Sequence, residues 1–174
     1  MLFRSGEVNV EGWDQPTVEI EVVRSAWSNR EDLTKARLNL IQVSKKLEGN
    51  ELTLTTSHKR FTGAHVDYRI RVPRNTKLVI HHGTGAVVVT GVDGDIDATT
   101  KTGDVLVQLD EPAKYQIDAF TKLGGIYSDF AGTIRRRRMG MGESLNPAAE
   151  GPGDARHISL HVTTGGITIQ KVSA

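Results

Sequence analysis

Hydrophobic and polar residues alternate with period two along most of this chain, and in its last hundred residues the alternation recurs around four glycines. Counting from Gly85, Gly103, Gly124 and Gly165, the residues seven before are Leu78, Ile96, Ile117 and Ile158, and those five before are Ile80, Ala98, Ala119 and Leu160. Two after stand Val87, Val105, Ile126 and Ile167, and four after stand Val89, Val107, Ser128 and Ile169; Ser128 alone of these sixteen is polar. Each copy reads as a strand, a glycine turn and a second strand, with inward and outward residues alternating. A two-strand unit of about twenty residues cannot bury its apolar face alone, so the copies must stack, like positions forming Val/Ile/Leu ladders. Glycine suits a bend that needs positive φ or close backbone approach. The predicted fold class is all-β: a β-solenoid or β-roll of stacked two-strand rungs, with an N-terminal hairpin region and one short helix.

The first three glycines are 18 and 21 residues apart, whereas the last interval is 41, long enough for a degenerate rung or an insertion. The opening Gly6-Glu-Val-Asn-Val-Glu-Gly12 echoes Gly85-Ala-Val-Val-Val-Thr-Gly91, which predicts a fifth half-copy at the start. Residues 6–23 read as a hairpin: Val8 and Val10 alternate on one arm, Val18, Ile20 and Val22 on the other, and a Gly12-to-Pro16 turn lies between. Around 29–39, Leu33, Ala36 and Leu40 recur at helical spacing behind a cap at Ser28 or Asn29. For 37–47 both helix and strand are open; a short helix followed by a hairpin is preferred, with Ile41 and Val43 before, and Leu52 and Leu54 after, a Glu-Gly-Asn turn. Val66, Tyr68, Ile70 and Val72 form a strand that Pro73 ends. One domain spans 1–174: hairpins and helix over 6–72, repeat rungs over 73–134 and 157–172, and a mobile Arg/Gly/Pro-rich loop over 135–156.

Composition narrows the chemistry. Lys plus Arg is 22 against 21 for Asp plus Glu, so no global charge draws the chain to nucleic acid or acidic membranes. With no cysteine there is no disulfide, thiol nucleophile or thiolate metal site. No segment reads as a signal peptide or membrane span, but the chain starts almost inside its first strand, so a missing leader or anchor is an open alternative.

The stretch Val66-Asp-Tyr-Arg-Ile-Arg-Val-Pro-Arg-Asn-Thr-Lys-Leu78, followed by Gly85-x-Val-x-Val-x-Gly91-Val-Asp-Gly94 and Thr102-Gly-Asp-Val-x-Val107, closely resembles the bacterial putative-adhesin domain of unknown function. The segments Gly6 to Asp14 and Thr164 to Ile169 fit the same template, so the resemblance covers nearly the whole chain. It implies a solenoid-like β fold and a bacterial envelope or surface setting, and it carries no catalytic residues over. The Arg-rich segment departs from the family pattern.

Four arginines in a row, Arg135, Arg136, Arg137 and Arg138, could grip a phosphate or carboxylate polymer, against the simpler reading of a solvated segment that guards a strand edge. No aromatics are interleaved, which argues against specific nucleic-acid recognition. Asp93-Gly-Asp-Ile-Asp97 invites calcium, but the nonapeptide repeat of calcium-binding rolls is absent, and turn-flanking solvated aspartates are the preferred reading. His157 and His161, four apart on a predicted strand, share a face on which His82 could complete a zinc site; exposed histidines on outer strand faces are preferred. Lys101 and Lys122, like Asp97 and Asp118, occupy matching places in successive copies and could line a groove. No nucleophile elbow, P-loop or paired-carboxylate signature appears.

The expectation is a non-enzymatic scaffold without cofactor or metal at the cell envelope or outside the cell, binding a protein or an anionic envelope polymer through Arg135–Arg138 and the outer strand faces. The alternatives are a cytoplasmic assembly module that docks a partner or another copy through an exposed terminal rung, and a small polysaccharide-acting enzyme.

Overall fold

The computed structural model describes residues 2–26, 31–39, 42–48, 51–57, 64–110, 115–130, 132–136, 142–147 and 155–172. In chain order its elements are β1 (Leu2–Ser5), β2 (Val8–Trp13), β3 (Glu19–Ala26), α1 (Glu31–Asn39), β4 (Gln42–Glu48), β5 (Glu51–Ser57), β6 (Ala64–Pro73), β7 (Leu78–Thr84) and β8 (Val87–Thr90). There follow β9 (Ile96–Thr102), β10 (Val105–Asp110), β11 (Tyr115–Leu123), β12 (Ile126–Ser128), β13 (Gly132–Arg136), β14 (Glu143–Pro147), β15 (Arg156–Thr164) and β16 (Ile167–Val172). The strands form two mixed, largely parallel sheets, ordered β13-β14-β11-β15-β9-β7-β1-β5-β4 and β12-β16-β10-β8-β2-β6-β3.

Every glycine-centred copy gives one strand to each sheet, and so does the N-terminal half-copy, β1 with β2. Like positions pair as the ladders predict: Val8 with Val87, Val87 with Val105, Val105 with Ile167, and Ile167 with Ile126. The inward residues of both sheets merge into a single core in which Val8, Ile80, Val89, Ala98, Val107, Leu160 and Ile169 are wholly buried. The helix and the β4–β5 hairpin fall where the pattern placed them, with Glu48 opposite Glu51 across the turn.

The rungs do not stack in chain order. The last copy, β15 with β16, lies between the third-from-last, β9 with β10, and the penultimate, β11 with β12. Asp97 and Asp118, expected as neighbours, are therefore separated by Ser159. The repeat itself explains the swap. Ile167 and Ile169 are 1% and 0% exposed and fit an interior place, whereas the penultimate copy has the one polar ladder residue, Ser128, and only a three-residue second strand, which suits an end.

Two other expectations are corrected. Residues 6–23 do not close a hairpin, because β6 lies between β2 and β3, parallel to the first and antiparallel to the second. Val66, Tyr68, Ile70 and Val72 are all buried, and a strand with so apolar an inner face needs a neighbour on each side; β3, with Val18 and Val23 exposed beside it and on it, takes the edge. The 135–156 segment is not simply a loop, since Arg135 and Arg136 belong to β13, and β14 pairs with it antiparallel, Ile134 opposite Leu145. The remainder, 137–141 and 148–154, lies outside the described residues.

Candidate functional site

The hairpin β13–β14 closes one end of the stack. Along the turns a line of backbone hydrogen bonds passes from rung to rung: Gly6 N–H donates to Thr84 O (3.0 Å), Gly85 to Thr102 (2.9 Å), Gly103 to Thr164 (2.9 Å) and Gly165 to Leu123 (2.8 Å). A second line follows it, from Val8 to Ala86, Val87 to Asp104, Val105 to Gly166 and Ile167 to Gly125. The next donor, Ile126 N–H, belongs to the end rung and has no further rung to bond. It donates instead to Glu143 Oε2 of β14 at 2.8 Å, and Arg136 Nε of β13 holds the other oxygen at 2.8 Å. The bond from Ile126, and after it Arg136, keep the Glu143 carboxyl below its usual pKa. Leu145, 1% exposed, covers the core beneath.

This geometry places the arginines expected to grip a polymer. Arg136 is tied to Glu143, Arg135 is exposed on β13, and Arg137 and Arg138 lie outside the described residues. Two of the three aspartates of the 93–97 stretch have partners in the fold: Asp95 Oδ1 accepts from His157 N–H at 2.9 Å, and Asp93 lies 3.8 Å from Arg156. Among the described residues no group of three His, Cys, Asp or Glu side chains could hold a metal.

His82 departs from the outer-face reading. It is 4% exposed and sits in a third inward column, three residues before the glycine, with Thr100, Val162 and Thr121. His161, by contrast, is on the outer face in contact with Phe120, so the two rings lie on opposite sides of the sheet. Burial pushes the His82 pKa down, partly countered by the Gly6 and Thr84 backbone. The column was visible in the sequence at a fixed offset, but its mixture of His, Thr and Val hid it.

Away from the capped end, the outer face of the smaller sheet carries a groove of about 170 Å³ lined by Asn9 and Glu11 of β2, Arg69, Ile70 and Arg71 of β6, and Glu19 and Glu21 of β3. Register sets its layout: Arg71 is opposite both Glu11 and Glu19, and Arg69 opposite both Asn9 and Glu21. Arg71 Nε reaches Glu11 at 3.1 Å and Nη1 reaches Glu19 at 3.2 Å, while Arg69 lies 3.7 Å from Glu21. Trp13, next along the same face of β2, has its indole N–H bound to Thr17 O at 2.8 Å and the Arg71 guanidinium 5.9 Å over its ring. Reading for turns and repeats passed over this cluster; the Arg-x-Arg of β6 between Glu-rich strands was its signal.

Fold and surface together define a mostly-β protein of two largely parallel sheets with one short helix. No helix among the described residues is long and apolar enough to cross a membrane. No family model matches the chain, and no curated protein matches its sequence. Its fold is similar to the crystal structure of a "putative cell adhesion protein" from Clostridium sporogenes ATCC 15579, with a TM-score of 0.55 over 98% of this chain and 91% of that one, at 8% identity. At that identity the likeness shows the fold alone.

Proposed function

We propose that the chain is a non-enzymatic adhesion-type scaffold of the cell envelope or cell surface, a solenoid-like stack whose outer strand faces meet a polymer or a protein. One observation carries this reading: nearly the whole chain shares its fold with the bacterial protein described as a "putative cell adhesion protein". The build of the stack agrees with a display role. Backbone hydrogen bonds run from copy to copy between Gly6 and the Glu143 cap, which ties the copies into one body. Arg135 and Arg136 put basic side chains on β13 at the capped end, and the sequence continues the run with Arg137 and Arg138, a stretch suited to phosphate or carboxylate groups.

The test is the location of the native protein. External protease applied to intact source cells is expected to degrade the chain, and degradation that occurs only after lysis would remove the surface reading.

A further inference from the structure

The geometry points to the Glu11–Arg71–Glu19 groove as a recognition site for an uncharged glycan, an inference that rests on the adhesion reading and names its ligand class. Edge protection does not account for these charges. Of the three strands that line the groove only β3 is at a sheet edge, and Arg69, Arg71 and Glu11 stand on strands paired on both sides. On the same outward row the next three strands carry uncharged side chains: Glu11 is in register with Thr90, Thr90 with Gln108, and Gln108 with Gln170. Charge is thus gathered at one end of a polar track that continues across three further strands, where Gln108 Nε2 donates to Gln170 Oε1 at 3.3 Å.

The chemistry of the groove selects among ligands. Three carboxylates against two guanidiniums leave it slightly acidic, which disfavours phosphate, sulfate or uronate polymers. The ion pairs hold the side chains in place without exhausting them. Arg71 uses Nε and Nη1 on the two glutamates, and each of those carboxylates retains a second oxygen. Donors and acceptors therefore alternate at the strand spacing of about 4.8 Å. A sugar hydroxyl both donates and accepts, so vicinal hydroxyls can bridge such neighbours, and an oligosaccharide can follow the Thr90–Gln108–Gln170 row from there. The fixed Trp13 ring at the groove's end places a fluorescent reporter beside the site.

The experiment is an amide NMR titration of the whole chain with four neutral probes, maltohexaose, cellohexaose, laminarihexaose and chitohexaose, and with polygalacturonate as the anionic comparison. At least one neutral probe is expected to shift the amides of 9–11, 19–21 and 69–71, with little response to added salt. Arg71→Gln and Glu11→Gln are each expected to weaken that binding about tenfold or more. Both should leave Tm nearly unchanged, because the pairs are exposed. Failure of all four neutral probes, or equal binding by both variants, overturns the inference. Binding of polygalacturonate alone, with shifts confined to the Arg135 region, also overturns it and leaves the adhesion reading standing. A groove that binds glycan in a protein shielded from external protease would instead remove the surface location.

Discussion

At Gly103 the backbone φ is 130°, and a Cβ added there would run into the Gly85 carbonyl of the adjacent rung. The same crowding recurs down the column, since a Cβ on Gly85 meets the Gly6 carbonyl and one on Gly165 meets that of Gly103. The turn residue is thus set by its neighbour's backbone as much as by its own dihedral, and this is why the glycines were the most legible mark in the sequence. Beside the turn, Val105 is 1% exposed and Leu106 faces outward. Val105→Asp should cost on the order of 3 kcal/mol or prevent folding, whereas Leu106→Asp should be mild; chemical denaturation of the two variants reads the difference. The mixed His/Thr/Val column has its own consequence. His82 is held neutral by burial, so its folded pKa lies below the unfolded value of about 6.5. Its effect on stability is absent above that pH, and stability is lost as pH falls from there through the depressed folded value. Thermal melts should therefore show Tm declining below about pH 6.5, and His82→Thr, matching Thr100 and Thr121, should flatten that decline.

Among the elements, the β13–β14 hairpin changes most between sequence and structure. Its composition of arginines, glycines and breakers reads as open loop, and a single apolar residue per strand, Ile134 and Leu145, gives no periodicity to detect. Its place depends on contacts distant in the chain: Ala119 of β11 pairs with Leu145, and Ile126 bonds to Glu143. Glu143→Ala should lower stability by about 1–2 kcal/mol, because it leaves the Ile126 N–H without its charged acceptor. Arg136→Ala should cost less, since its side chain is 81% exposed. Because the Glu143 pKa is depressed, the stability it provides is present above about pH 4.3 and lost as pH falls through the lowered value. Equal melting curves for wild type and Glu143→Ala across that range would remove the cap. The insertion of β6 between β2 and β3 was hidden for a similar reason: local alternation locates strands but does not say which of them are neighbours.

For the whole molecule, the repeat made the two-sheet stack and its ladders readable, whereas the order of the rungs is a long-range property. Only Ser128 and the short β12 hinted at which copy stands last. A stack wound in chain order would tolerate loss of its final copy, leaving the remainder closed. Here removal of 155–174 takes out the interior pair β15 and β16 and parts β9 from β11 and β10 from β12. Such a truncation should abolish the cooperative thermal transition seen by circular dichroism; a truncated chain that melts like the intact one would contradict the observed order.

The interior position of β15 and β16 also bears on synthesis at the ribosome. Among the described strands they are the last to emerge, yet β11, β12 and the cap can join the stack only across them. The nascent chain must hold β9 and β10 with an open edge, and β11 and β12 unattached, until Val172 has been made. Ribosomes that stop early would release a protein with two unpaired sheet edges, a target for proteases and chaperones, so the native stack arises only when translation has passed that point.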